Sequence, residues 1–178
     1  MKGPGIDESE AFLPVSIAVL TVSDSRTEET DFSGRLLAER ASDAGHLVVA
    51  KLILPDDREM IEAQLRAWIA NPTIDVVITT GGTGITGRDV TPEAMFVVCE
   101  KELPGFGEHF RVISARSIGL AAIQSRAMAG VASGTLLFAL PGSTGACRDG
   151  WDEILKLQLD SRYRPCNLVE LLPRLRET

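Results

Sequence analysis

Aromatic side chains make up only 5% of this 178-residue chain, so any core it buries must be largely aliphatic. Histidine is scarcer: His46 and His109 stand far apart, and each reads as an ordinary surface or packing residue rather than a catalyst. Cys99, Cys147 and Cys166 are few, odd in number and without C-x-x-C spacing. They indicate neither a disulfide framework nor a zinc site, and they fit a reducing cytosol. Positive charge is also short. A formal charge of −7 and a pI near 4.9 argue against nucleic-acid binding, which needs a basic surface. An anionic substrate would therefore need local compensation from arginines, backbone N–H groups or a divalent cation. No apolar run approaches the roughly 18 residues of a membrane span. The polar, acidic Met1–Glu10 has one lysine and does not read as a signal peptide, so residues 1–14 are expected to form a floppy tail on a cytoplasmic protein.

What is present is enough for one domain over residues 15–178, since 44% of the chain is hydrophobic. Val15–Val22, β-branched and mostly apolar, is expected to be a central parallel strand. Ser33–Ala44 reads as a helix stopped at Gly45, and Leu47–Leu54 as a second strand. Asp57–Ala70 places Ile61, Leu65, Trp68 and Ile69 on one helical stripe. Ile74–Thr80 reads as a third strand, with helices over Pro92–Glu100 and Gly107–Ala115. Thr135–Leu140 is another buried strand, and Cys147–Leu159 carries Trp151, Ile154, Leu155 and Leu159 on one helical face. This alternation predicts a three-layer α/β sandwich with a largely parallel central sheet. Ligands of such sheets bind beyond the carboxyl ends of the strands, where Ser23–Arg26, Pro55–Asp57, Gly81–Asp89 and Pro141–Gly145 would lie.

The stretch from Thr79 to Glu93 stands out. An apolar strand empties into Gly81-Gly82-Thr83-Gly84, then Ile85-Thr86-Gly87-Arg88-Asp89, and Thr91-Pro92 opens a helix. Glycine accepts φ > 0 and lets backbone N–H groups close around an anion. Arg88 adds a cation for phosphate oxygens and Asp89 a carboxylate for a metal ion. Gly82–Gly87 also matches G-x-G-x-x-G, which alone is weak: a nicotinamide site places it after the first strand, not the third. The Walker A spacing fails because Arg88-Asp89 stands where Lys-Ser/Thr is required.

Asp56 and Asp89, both at strand ends, could together hold Mg²⁺ beside substrate phosphates. Asp56 with Glu59 equally makes a capping-box-like helix start, while Thr91 before Pro92 already supplies the cap that Asp89 would otherwise give. Pro141-Gly142-Ser143 lacks the first glycine of a serine-hydrolase turn, so Ser143 either caps a helix or hydrogen-bonds a ligand. Ser125-Arg126 lies in a polar break between helical and extended segments; hydroxyl beside guanidinium suits a phosphate, or is a surface arginine beside a turn serine.

Thr79–Gly84, Arg88-Asp89-Val90-Thr91-Pro92-Glu93-Ala94, Pro104-Gly105-Phe106-Gly107-Glu108, Ser125-Arg126 and Leu140-Pro141-Gly142 together resemble the MoaB/MogA family of molybdenum-cofactor biosynthesis. The likeness runs from about Val15 to the C-terminus, and Arg148, Trp151, Gln158-Leu159-Asp160 and Arg164-Pro165-Cys166-Asn167 resemble the MoaB branch in particular. The resemblance implies a molybdopterin-binding domain that adenylates molybdopterin from Mg-ATP. By motif, Asp56 and Asp89 would be the catalytic, Mg²⁺-associated carboxylates. Gly81, Gly82, Thr83 and Gly84, with Pro141, Gly142 and Ser143, would line the nucleotide side, and Ser114, Ser125 and Arg126 would hold the pterin phosphate. It also implies a homo-oligomer, trimer or hexamer, with handover to a metal-insertion protein. A non-catalytic molybdopterin carrier is the competing reading. Because Pro55-Asp56 and Arg88-Asp89 are both intact, an active enzyme is expected.

Overall fold

A computed structural model describes residues 3–177. Strand β1 (Gly5–Ile6) is a short N-terminal segment, and β2 (Ser16–Val22), β3 (Leu47–Leu54), β4 (Val76–Thr80) and β7 (Thr135–Leu140) are the four expected strands. They run parallel, and β2, β4 and β7 are buried along nearly their whole length, which is why they read as continuous apolar runs. Two further strands, β5 (Lys101–Glu102) and β6 (Met128–Ala132), extend one edge antiparallel, giving the order β3-β2-β4-β7-β6-β5. Sequence reading anticipated only an extended segment after Arg126. Met-Ala-Gly-Val-Ala has one β-branched residue and carries little strand signal.

Helices cover both faces, as a sheet buried on two sides requires. On one face lie α1 (Phe32–Asp43), α4 (Pro104–Ile118) and the C-terminal helical stretch, which put Leu37, Phe110 and Trp151 against Ile17, Val19 and Ile78. On the other, α2 (Arg58–Ile69) and α3 (Thr91–Val98) put Ile61, Leu65 and Met95 against Ala18, Leu20 and Val77. The expected three-layer sandwich with a largely parallel sheet is therefore present. The expected single helix over Cys147–Leu159 is instead α5 (Thr144–Gly150), a π-helical turn (Trp151–Leu155) and α6 (Lys156–Gln158). α4 begins at Pro104, whose missing N–H costs nothing at a first helical turn, rather than at Gly107. None of the described helices is long and apolar enough to cross a membrane.

The N-terminal segment differs from expectation. Met1 and Lys2 lie outside the described residues, but residues 5–13 of the expected floppy tail are held down. β1 pairs antiparallel with β8 (Tyr163–Arg164), the Asp7 N–H donates to the Arg162 carbonyl, and the Ser161 hydroxyl donates to the Ala11 carbonyl while accepting from the Leu13 N–H. Phe12 lies under the Arg162 guanidinium, 5.2 Å from the ring centroid. A polar sequence gives no warning of this, because the anchoring bonds are mostly backbone bonds.

His46 is a packing residue, as expected: 4% exposed, with its ring between Phe12 and Trp151 and Nδ1 accepting from the Val15 N–H. Burial holds its pKa below the ordinary 6.5, against an opposing pull from Asp160. The unfolded chain therefore binds a proton that the folded chain refuses. The resulting stability is fully present above the ordinary histidine value and is lost as pH falls below it. Urea unfolding at about pH 7.5 and 5.5 should show a drop in stability that His46→Gln abolishes. An equal drop in the variant would exclude His46 as its source.

Candidate functional site

A cleft of about 520 Å³ opens at the carboxyl ends of β2, β3, β4 and β7, with Thr21 and Thr80 on its floor. The glycine loop after β4 forms one wall. Gly81 has φ +100°, and a Cβ there would come within 2.1 Å of the Val22 carbonyl oxygen. Its N–H donates to the Leu140 carbonyl, and its own carbonyl accepts from the Thr91 hydroxyl at 2.8 Å. Thr91 is thus the first residue of α3, and its hydroxyl ties the helix to the loop instead of acting as the expected cap; Val90 stands at the cap position without a side-chain bond.

Asp56 sits where the expectation placed it, but the capping role belongs to its neighbour. Asp57 caps α2, accepting from the Met60 N–H at 3.0 Å. With two adjacent aspartates, sequence pattern could not decide which would cap; the backbone register gives the task to Asp57 and leaves Asp56 facing the cleft. Asp56 Oδ2 accepts from the Asp24 N–H at 3.1 Å, and Asp24 Oδ1 accepts in return from the Asp56 N–H at 3.1 Å. Asp56 Oδ1 lies 3.0 Å from the place a Cβ on Gly82 would occupy, so this carboxylate reaches the glycine loop. Burial raises its pKa, and the negative charges of Asp24 and Asp89 push the same way.

Asp89 closes the other end of the loop. Its Oδ2 accepts from the Thr86 N–H at 2.8 Å and the Thr86 hydroxyl at 2.6 Å. Burial works to raise its pKa, but the Thr86 and Gly84 hydrogen bonds and the Arg126 charge outweigh it and hold the group below the usual carboxylate range. Gly84 is glycine for this reason: a Cβ there would lie 2.7 Å from Asp89 Oδ2. Asp56 and Asp89, distant in sequence, line one cleft.

Gly81, Gly82, Thr83, Gly84, Pro141, Gly142, Ser143, Ser114 and Ser125 line the same cleft; Arg126 does not. Ser143 also caps α5, accepting from the Ala146 N–H at 3.2 Å, so both readings of it hold in one side chain. Arg126 is turned to the loop backbone: Nε donates to the Gly84 carbonyl at 2.6 Å, Nη2 to the Asp89 carbonyl at 2.8 Å, and Nη1 to Glu93. Arg88, expected to face phosphate, forks onto the Asp24 carboxylate at 2.7 and 3.0 Å. That fork is the main reason the Asp24 pKa falls.

Sequence reasoning missed the supports beneath the cleft. Asp31, 1% exposed, caps α1 through the Gly34 N–H, accepts from the Thr21 hydroxyl and pairs with Lys51 at 2.9 Å. The Ser33 hydroxyl donates to the Gly142 carbonyl at 2.7 Å, tying α1 to the Pro141-Gly142 turn. The one available signal was Asp31 standing three residues ahead of Gly34 at a helix start. Asp24 lay in a loop already marked as a strand end, but its bridging position needs the folded loops.

Among the described residues no three His, Cys, Asp or Glu side chains form a metal-binding group. Arg26 is the one lysine or arginine among the residues lining the cleft, and it donates to the Thr30 carbonyl. Asp31, Asp56 and Asp89 line it as well. The donor set suits a hard cation that takes one or two carboxylates and completes its shell with water and phosphate oxygens. Such a cation would also relieve the burial and like-charge repulsion that raise the Asp56 pKa.

A family model described as a probable molybdopterin binding domain matches residues 18–161. Molybdenum cofactor biosynthesis protein B of Escherichia coli (strain K12) is 52% identical over 159 residues, covering 89% of this chain and 94% of that protein. The protein of the same name from Bacillus subtilis (strain 168) is 44% identical over 142 residues, covering 79% of this chain and 84% of its own. A crystal structure of a molybdenum cofactor biosynthesis protein B superposes with a TM-score of 0.85 at 40% identity, covering 95% of this chain and 100% of that one. The tungsten cofactor synthesizing protein MoaB from Pyrococcus furiosus superposes with a TM-score of 0.75 at 36% identity, covering 92% and 98%.

Proposed function

This chain belongs to the MoaB family of molybdenum cofactor biosynthesis proteins, and from there we propose that it is a molybdopterin adenylyltransferase: it transfers AMP from Mg-ATP to the terminal phosphate of molybdopterin. The observation that carries the reading is the meeting of Asp56 and Asp89 in one cleft beside the glycine loop. An oxygen of the pterin phosphate forms a bond to the α-phosphorus of ATP, the bond from that phosphorus to the bridging oxygen breaks, and pyrophosphate leaves.

Gly81–Gly84 and Pro141-Gly142-Ser143 line the nucleotide side, and the Ser114 and Ser125 hydroxyls face the pterin phosphate. Asp56 and Asp89 would hold Mg²⁺, which when bound supplies positive charge that neutralises the phosphates. The rest is positioning: rigid loops keep two polyanions in line, and no protein nucleophile is called for. Cys147, the thiol nearest the floor, contacts the Thr80 hydroxyl at 3.0 Å, and burial pushes its pKa up to about 11. We also propose a homo-oligomer, trimer or hexamer. Leu120 and Ile123, 85% and 77% exposed, are apolar side chains that a second copy would cover.

The test is pyrophosphate release from ATP and Mg²⁺ with and without molybdopterin. The proposal expects release that depends on the pterin. Molybdopterin binding with no release would favour the carrier reading and retire the enzymatic one.

A further inference from the structure

We infer that Arg126 is a positioning residue that acts through Asp89 by clasping the two ends of the glycine-loop tip from outside the cleft, and is not a ligand of the pterin phosphate. The inference rests on the adenylylation reading for its kinetic consequence, and on geometry alone for its structural one.

Arg126 meets the loop at both ends. Its own N–H donates to the Thr83 carbonyl at 3.1 Å, and its side chain reaches the Gly84 carbonyl through Nε and the Asp89 carbonyl through Nη2. The segment between those carbonyls, residues 84–89, is therefore closed into a ring by one guanidinium. The third arm, Nη1, pairs with Glu93 in the first turn of α3, so loop and helix are fixed to the same plane. Inside the ring the Asp89 carboxylate is oriented by Thr86. Remove the outer clasp and the inner bonds still turn the carboxylate toward Thr86, but the side-chain hold left on the ring is the exposed Arg88–Asp24 fork at its tip.

The placement of the side chain agrees. Arg126 borders a separate groove of about 300 Å³, shared with Pro92, Phe96 and Arg111, and is absent from the lining of the main cleft. Each of its three nitrogens already has an acceptor, and its charge helps to lower the Asp89 pKa. Arginine's planar fork spreads these three bonds over three nitrogens, whereas a lysine ammonium must make all of its bonds from one atom. The chemistry calls for arginine at this position even with no phosphate present.

The experiment compares Arg126→Ala and Arg126→Lys with the parent in three measurements: pyrophosphate release, molybdopterin affinity, and amide hydrogen exchange over residues 83–90. Loss of the clasp should lower kcat about 10²-fold, the scale of a misplaced catalytic group, with molybdopterin affinity unchanged and loop exchange faster. Arg126→Lys should share the faster exchange and lowered kcat, since it keeps the charge but not the fork. Weakened molybdopterin binding with loop exchange unchanged would overturn the inference and make Arg126 a phosphate ligand; so would an unchanged kcat. If the alanine variant fails to fold, the lysine variant decides by the same readouts. Should the parent release no pyrophosphate, adenylylation falls, while loop exchange and pterin binding still judge Arg126.

Discussion

Asp89→Asn should fold like the parent and bind molybdopterin, yet release pyrophosphate about 10²–10³-fold more slowly, the usual scale for losing one charge-stabilising group. The substitution separates two jobs of one side chain. Asp89 Oδ2 accepts two bonds from Thr86, and an amide oxygen can accept the same pair, so those two bonds to the loop tip are kept. What disappears is the negative charge beside Asp56. The measurement is steady-state pyrophosphate release beside pterin binding and a thermal melt. Parent-like turnover would remove Asp89 from the chemistry. A melted variant that binds nothing would reduce it to a structural residue.

Gly81→Ala should cost about 3 kcal/mol, combining strain at a positive φ with overpacking against backbone. At φ +100° the new Cβ would sit 2.1 Å from the Val22 carbonyl oxygen, a backbone atom at the end of β2 that cannot swing aside as a side-chain tip would. The Leu140 carbonyl and the Thr91 hydroxyl hold Gly81 from two other directions, so relief in one bond strains another. For a domain of this size the melting temperature should fall by roughly 6–12 °C. Gly87→Ala, with open space around its Cβ, is the control and should melt like the parent. Equal melting temperatures for Gly81→Ala and the parent would mean that the loop is free to shift and is not the fixed wall described above.

Much of this was legible beforehand, for reasons that can be named. β2, β4 and β7 are buried on both faces and so appear as nearly unbroken apolar runs; β3, a partly exposed edge strand, still begins and ends where its sequence does, at Leu47 and Leu54. α2 announces itself by the Ile61, Leu65 and Trp68 stripe. The cleft was legible because glycines and polar residues gather at strand ends. What stayed hidden depended on backbone partners. The tether of residues 5–13, the weak Met128–Ala132 strand and the choice between Asp56 and Asp57 as cap all turn on which carbonyl or N–H is in reach. Arg126 is the sharpest case: Ser-Arg in a polar break suggested a phosphate hook, while the fold gives its guanidinium to the Gly84 and Asp89 carbonyls.

The charge balance makes one demand on any function assigned to this cleft. Three carboxylates and a single arginine line it, in a chain of net charge −7, so two polyanionic substrates would meet repulsion without a cation between them. The Asp56 carboxylate is thus costly alone and useful in the loaded state, a common condition of functional sites.

The most direct measurement follows the label from ATP carrying ³²P at its α-phosphate, incubated with Mg²⁺, molybdopterin and the protein. Direct transfer predicts that label moves onto the pterin, in step with unlabelled pyrophosphate, and does not move when both Asp56 and Asp89 are replaced by asparagine. Label that stays in ATP while the pterin binds tightly, or that passes to the pterin equally well in the double variant, would contradict the account.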